Sequence, residues 1–318
     1  MDLNKKQLKF FDMFSGIGGF KIALERAGFK CVGYCDNDKY ATKLYREFFN
    51  TEEEMYFDDA TTIRTDTLPD FEILCAGFPC QAFSIAGKRL GFEDTRGTLF
   101  FEIARILQHK RPRYLLLENV KGLLSHEHGK TFQTILKVLS NLGYILQWEV
   151  LNSKNFGVPQ NRERVFIIGH LRGTRRPEVF PIREGDQDFN EMHVGSGWTK
   201  PETAISGCIG EKQDRQHNTF VVSKMLEITK DQSQGYRVYD TDGISTTLAA
   251  EGGGMGAKTG LYQLKDTHIR RLTPTECERL QGFPDGWTEG ISNTQRYKCL
   301  GNAVTTTVIT EIGKRLLC

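Results

Sequence analysis

The chain has 318 residues, 39% of them hydrophobic and 26% charged, which is too much apolar material for a disordered chain and enough for one large domain with a smaller lobe. A net charge of +2 excludes the strongly basic balance of a histone-like binder, so contact with nucleic acid would have to come from basic residues gathered on one face. No run approaches the roughly 20 apolar residues of a membrane span, and residues 1–14 lack the apolar stretch and small-residue cleavage site of a secretory leader.

In chain order, residues 8–14 read as a buried strand, 21–27 as a helix, 31–34 as a strand and 40–49 as a helix. Residues 72–76 read as a strand, 99–109 as a helix, 114–118 as a strand, 131–142 as a helix, and 145–151 and 164–170 as strands. Strands alternating with helices predict an α/β protein whose parallel sheet is covered on both faces. The pattern changes near Pro181: residues 181–269 are rich in Gly, Thr, Ser and charge, which predicts an irregular, β-rich second lobe. Helical spacing returns at 273–280, where Pro274 suits a first turn and Thr273 with Glu276 can form a capping box; a last helix is predicted at 305–316.

The chemistry gathers at predicted strand ends. The first strand opens into Phe14-Ser15-Gly16-Ile17-Gly18-Gly19, where glycines let backbone amides approach a ligand. No Gly-Lys-Ser/Thr follows, which excludes a P-loop, and Lys21 stands where a dinucleotide fold carries its third glycine. Asp36 closes the second strand, where an acid can accept both ribose hydroxyls, and Asp59 lies where a third strand should end, in reach of an adenine amino group. An adenosine cofactor without a phosphate signature favours S-adenosylmethionine over a nicotinamide dinucleotide. Cys80 follows the next strand, presented by Pro79, and Glu118 ends the one after it. A parallel sheet brings successive strand ends to one rim, placing a soft nucleophile beside an acid. No histidine stands in a triad context, which argues against an acyl-transfer protease. The eight cysteines contain no C-x-x-C pair, so neither a zinc ribbon nor a disulfide framework is expected, and no metal. Ser125-His126-Glu127-His128 reads as a surface turn, and the run 172–176 as a solvated linker.

Phe14–Gly19, Gly77-Phe78-Pro79-Cys80-Gln81, Glu118-Asn119-Val120, Gln160-Asn161-Arg162-Glu163-Arg164 and Gly301-Asn302-Ala303-Val304 stand in this order. The series resembles the C5-cytosine-specific DNA methyltransferases of bacterial restriction–modification systems, in particular the small single-target enzymes, and spans nearly the whole chain. The resemblance implies a Rossmann-like S-adenosylmethionine-dependent methyltransferase fold: a mixed sheet with helices on both faces, and a smaller β-rich target-recognition lobe. It divides the chain into a catalytic and cofactor domain (1–180), a recognition domain (181–270), a hinge (271–300) and a C-terminal helix returning to the catalytic domain (301–318).

It further implies methyl transfer from S-adenosylmethionine, leaving S-adenosylhomocysteine, to C5 of a flipped-out cytosine in a short sequence of double-stranded DNA. Cys80 becomes the nucleophile at C6, Glu118 the group on the N3 and N4 edge, Arg164 a residue that fixes the base, and Arg162 its support. The cofactor contacts become Phe14, Gly16, Ile17, Gly18, Gly19, Asp36, Asn37, Asp59, Ala60, Phe78, Pro79, Leu99, Asn302 and Val304. Asn37 replaces a bulky aromatic residue often found after the ribose acid, and Ala60 a larger aliphatic one. DNA contacts fall on the segment 81–97, with Gln81, Ser84, Lys88, Arg89 and Arg96, and on the recognition lobe, with Gln234, Arg237, Thr247, Gly253, Gly254 and Lys258. A monomer in the cytoplasm of a bacterium or encoded by its phage, with a cognate restriction endonuclease as partner, follows from the same resemblance. The competing readings are a tRNA cytosine-C5 methyltransferase, a DNA-binding protein without turnover, and a nicotinamide dehydrogenase, which the missing third glycine disfavours.

Overall fold

The computed structural model describes residues 7–79, 99–182, 228, 237–250, 258–264 and 268–318. The first half lays down β1 (Lys9–Met13), α1 (Gly19–Arg26), β2 (Lys30–Cys35), α2 (Lys39–Phe48), β3 (Met55–Phe57), β4 (Ile73–Gly77), α3 (Leu99–Lys110), β5 (Tyr114–Val120), α4 (Lys130–Asn141), β6 (Tyr144–Asn152) and β7 (Glu163–Leu171). These strands form one sheet in the order β3-β2-β1-β4-β5-β7-β6. β1 to β5 run parallel, but β7 is antiparallel to both its neighbours, β5 and β6. The fully parallel sheet read from alternation is therefore corrected to the mixed sheet that the family resemblance implies. The reason is local: only residues 153–162 join β6 to β7, with a single 3-10 turn at Ser153–Asn155 and no α-helix to carry a crossover, so the chain reverses beside itself.

Strand alternation sorts the core onto two faces. Phe11, Met13, Leu74, Ala76, Leu115 and Leu117 pack with Ile103 and Leu107 of α3 and Ile135 and Leu139 of α4. Phe10, Ile73, Cys75 and Leu116 face the other way, onto Phe20 and Leu24 of α1 and Ile309, Ile312 and Leu316 of the last helix. Strands buried on both faces carry near-continuous apolar runs, which is why these segments were legible as strands.

The second half contributes a three-stranded sheet of β8 (Val238–Asp240), β9 (Leu261–Gln263) and β10 (Ile269–Arg271), in the order β10-β9-β8. Then come α5 (Pro274–Gln281), α6 (Asn293–Asn302) and α7 (Thr306–Leu317). The Thr273–Glu276 capping box is present: Glu276 N donates to Thr273 Oγ1 at 3.3 Å and Thr273 N to Glu276 Oε2 at 2.6 Å. A third core cluster joins Ile17 and Leu44 to Leu248, Tyr262, Leu280, Phe283, Trp287 and Leu300, so the two halves share buried side chains. Among the described residues no helix is long and apolar enough to cross a membrane.

Candidate active site

The site grows from the turn between β1 and α1. Phe14, Gly16 and Gly18 have φ of 60°, 55° and 84°, so the chain bends through three left-handed residues in five. A side chain at Gly18 would run into the Phe49 ring, which fixes glycine there on space as well as on conformation. Asp36, just past β2, receives Gly16 N on Oδ2 at 2.7 Å and Asp38 N on Oδ1 at 2.8 Å. Burial pushes the Asp36 carboxyl up, and those two amides pull it back down. Asp38 caps α2 through Tyr40 N at 2.9 Å and receives Lys298 Nζ from α6 at 2.9 Å.

The turn, Asp36 and the strand ends enclose a cavity of about 490 Å³. Of the residues that the sequence assigns to a cofactor, it is lined by Phe14, Gly16, Ile17, Gly19, Asp36, Asn37, Phe78, Pro79, Leu99, Asn302 and Val304. Gly18 is the N-cap of α1 and lies outside the lining. So do Asp59 and Ala60. The Asp59 carboxylate is exposed and accepts from Thr61 N and Oγ1 at 2.9 and 2.8 Å, while Ala60 is buried with its carbonyl on Arg105.

Glu118, Arg162 and Arg164 line the same cavity. Pairing in the sheet sets Glu118 beside Gly77 of β4 on one side and Phe166 of β7 on the other. Arg164 Nε lies 3.1 Å from Glu118 Oε1, and both side chains are largely buried. Burial raises the Glu118 carboxyl above its usual range, against the opposing pull of Arg164 and then Arg162. Asn119 Nδ2 donates to Phe78 O at 2.8 Å and so pins the chain two residues ahead of Cys80. Cys80 itself lies outside the described residues, as do Gln81, Ser84, Lys88, Arg89, Arg96, Gln234, Gly253 and Gly254.

Arg162 does different work from Arg164. Its guanidinium is fully buried, with Nη1 on Leu248 O at 3.1 Å and Nη2 on Gly301 O at 2.9 Å and Ala303 O at 2.8 Å. Burial pulls its pKa down to about 9. Gln160 repeats the pattern, donating to Leu280 O at 2.9 Å and accepting from Leu248 N at 3.2 Å. Of the residues assigned to DNA, Thr247 donates its hydroxyl to Asn161 O at 2.6 Å, and Arg237 and Lys258 sit half-buried at the approaches to β8 and β9. His126 of the surface turn shares its Nδ1 with Thr131 Oγ1 at 2.7 Å.

Several residues at or behind the cavity carry no role in the sequence reading, Ser15, Lys298 and Gln160 among them. Ser15 lines the cavity with a buried hydroxyl that has no hydrogen-bond partner among the described residues. Lys298 joins the site only through its pairing with Asp38, and Gln160 lies outside the cavity lining, bracing Leu248 and Leu280 behind it. The one signal in sequence was the Gln160-x-Arg162-x-Arg164 alternation, which puts three long polar side chains on one face of an extended segment.

The model of the C-5 cytosine-specific DNA methylase family matches residues 8–318. The chain belongs to this family. It is 38% identical over 327 residues to the Type II methyltransferase M.HhaI of Haemophilus parahaemolyticus, covering 98% of this chain and 96% of that protein. It is also 38% identical over 333 residues to the Type II methyltransferase M.HpaII of Haemophilus parainfluenzae, covering 98% and 90%. Among solved structures, S. pombe Dnmt2 methyltransferase shares the fold with a TM-score of 0.71 over 98% of each chain, at 22% identity.

As a DNA (cytosine-5-)-methyltransferase the chain takes S-adenosylmethionine as its cofactor. The cavity fits that molecule: it has the size of a small-molecule pocket, an acid at the end of β2 able to accept from hydroxyls, apolar walls from Phe14, Phe78, Leu99 and Val304, and the Ser15 hydroxyl, which has no partner among the described residues.

Proposed function

We propose that the chain methylates C5 of a cytosine turned out of duplex DNA, through a transient bond between Cys80 Sγ and C6 of the base. The observation that carries this reading is the Glu118–Arg164 pair, set against Gly77 at the root of the Cys80 segment and opening onto the cofactor cavity. Extruding the base costs a few kcal/mol of stacking, and Lys88, Arg89 and Arg96 follow Cys80 closely in sequence, basic residues suited to the phosphate backbone.

C5 of cytosine is a poor nucleophile. The Cys80 thiolate adds to C6, and the displaced electron pair moves toward N3, where Glu118 gives up its proton. A carboxyl raised by burial is suited to hold that proton. Arg164 keeps Glu118 in place and offsets negative charge as it develops. Bound S-adenosylmethionine supplies the methyl group that the activated C5 takes, leaving S-adenosylhomocysteine. Loss of the C5 proton to a base then expels the thiolate and restores the ring. Asp36 holds the ribose, and residues 181–270 read a short sequence, with Arg237, Thr247 and Lys258 at the base of that lobe. The enzyme works as a monomer in the cytoplasm, paired with an endonuclease of the same specificity, as expected of a Type II relative.

Duplex DNA bearing 5-fluorocytosine at the target tests the chemistry, because fluorine cannot leave as a proton and elimination stops. Bisulfite sequencing of DNA from cells expressing the chain first locates the target. With S-adenosylmethionine present, a complex surviving denaturing electrophoresis is expected, and Cys80→Ala should lose it. A wild-type complex that dissociates fully in denaturant would overturn the proposal.

A further inference from the structure

A turn with Phe14, Gly16 and Gly18 all left-handed persists only where its surroundings over-determine it. From the sheet side it is held by Ser15 N on Cys35 O at 3.0 Å and by Gly16 N on Asp36. From the opposite side a side chain hydrogen-bonds to it. The indole Nε1–H of Trp287 donates to Ile17 O at 2.9 Å, with both residues buried. Ile17 lines the cofactor cavity and Trp287 does not.

Trp287 is itself rigidly placed. Its ring stacks on Phe48 at 4.4 Å and 16°, meets Phe49 edge-on at 5.4 Å, and lies 5.4 Å from Phe283. The loop that carries it winds around the buried Glu278 carboxylate, which accepts Gly286 N at 2.7 Å, Thr288 N at 2.8 Å and Arg296 Nη2 at 3.0 Å. Glu278 thus builds the loop, the loop presents the indole, and the indole fixes the one carbonyl between Gly16 and Gly18.

We propose that Trp287 is a positioning residue for the cofactor turn, its N–H holding Ile17 O in the conformation that binds S-adenosylmethionine. The proposal rests on the cavity being the cofactor site. Trp287→Phe keeps an aromatic ring in the stack and removes the donor, leaving a buried carbonyl unpaired. By titration calorimetry, its affinity for S-adenosylhomocysteine should fall roughly tenfold, the factor expected of one lost hydrogen bond. KM for S-adenosylmethionine should rise by the same factor, with kcat at saturating cofactor and DNA affinity within about twofold, a split that general loosening of the fold would not give. Unchanged cofactor affinity overturns the proposal, and so does an equal fall in cofactor affinity, kcat and DNA affinity.

A second measurement needs no loss of the donor. In the Trp148→Phe/Trp198→Phe protein, Trp287 is the sole tryptophan, and its indole N–H resonance should shift when S-adenosylhomocysteine is added. A resonance that does not move at saturation argues the contact is uncoupled from the site, and overturns it. Asp36→Ala separates the two claims. If it binds S-adenosylhomocysteine normally, the site assignment fails; if it loses binding while Trp287→Phe does not, only the role of Trp287 fails.

Discussion

Asp12 sits one residue from the end of β1, fully buried, with no hydrogen-bond partner for either carboxylate oxygen among the described residues. Lys21, the residue in the place of a dinucleotide fold's third glycine, is buried nearby but pairs with Glu54. Burial therefore dominates and raises the Asp12 carboxyl well above its usual range, with Lys21 pulling the other way. The native state then holds a proton that the unfolded chain releases near a pH of about 4, so this stability is full below that value and lost as pH rises through the raised one. Asp12→Asn is expected to melt higher than the wild type at pH 8, by about 1.5 °C for each kcal/mol recovered in a chain of 318 residues. The advantage should shrink toward pH 5, and melting curves at the two values check it. Glu118 carries the same sign into activity. On the proposed mechanism its raised carboxyl keeps the proton-donating form to higher pH, so kcat should fall as pH climbs. Glu118→Gln should lose roughly 100-fold or more in transfer while keeping most DNA affinity; equal losses in both would make Glu118 a binding residue.

Between elements, α6 packs closely against residues 249 and 250, and Arg162, just ahead of β7, bonds to Leu248 O and Gly301 O at the same joint. A Cβ on Gly301 would overlap Ala250 N, and backbone cannot swing aside as a flexible side chain can. Gly301→Ala should cost about 1–3 kcal/mol by overpacking, seen as a lower urea midpoint with unchanged slope. Cofactor binding should weaken with it, because Asn302 and Val304 line the cavity. The same joint shows where sequence reading stops. The glycine turn, Asp36 and Glu118 were legible because each ends an apolar strand, and strand ends share a rim. Arg162 and Arg164 look alike in sequence and point to one face. Only the fold decides that Arg164 meets a carboxylate while Arg162 gathers carbonyls from Leu248, Gly301 and Ala303. The reversal of β7 was hidden for a related reason: apolar alternation records burial and carries no sign for strand direction. Trp287 was hidden because its partner, Ile17, lies near the other end of the chain.

At the scale of the whole chain, the seven-stranded sheet is not covered by the first half of the chain alone. α7 covers the sheet face that α1 leaves open: Thr310 donates to Ala23 O at 3.2 Å, and Gly313 lies so close to α1 that an added Cβ would come within 2.9 Å of Ala27 Cβ. Arg315 reaches Pro181 O at 3.2 Å, tying the chain end to the segment that leaves β7. Val308, Ile309, Ile312 and Leu316 are all buried in this core. At roughly 1.5–3 kcal/mol for each buried side chain, these four contribute about 6–12 kcal/mol, comparable to the entire stability of an ordinary domain. Residues 1–182 alone should therefore not fold, despite containing β1 to β7, Asp36, Cys80, Glu118 and Arg164. The expected result is poor dispersion in a proton NMR spectrum and no binding of S-adenosylhomocysteine. Adding residues 292–318 as a separate peptide should recover part of both, because it returns α6, α7 and the Asn302–Val304 wall together. A 1–182 fragment that unfolds cooperatively and binds S-adenosylhomocysteine unaided would show that the cofactor domain is continuous in sequence after all.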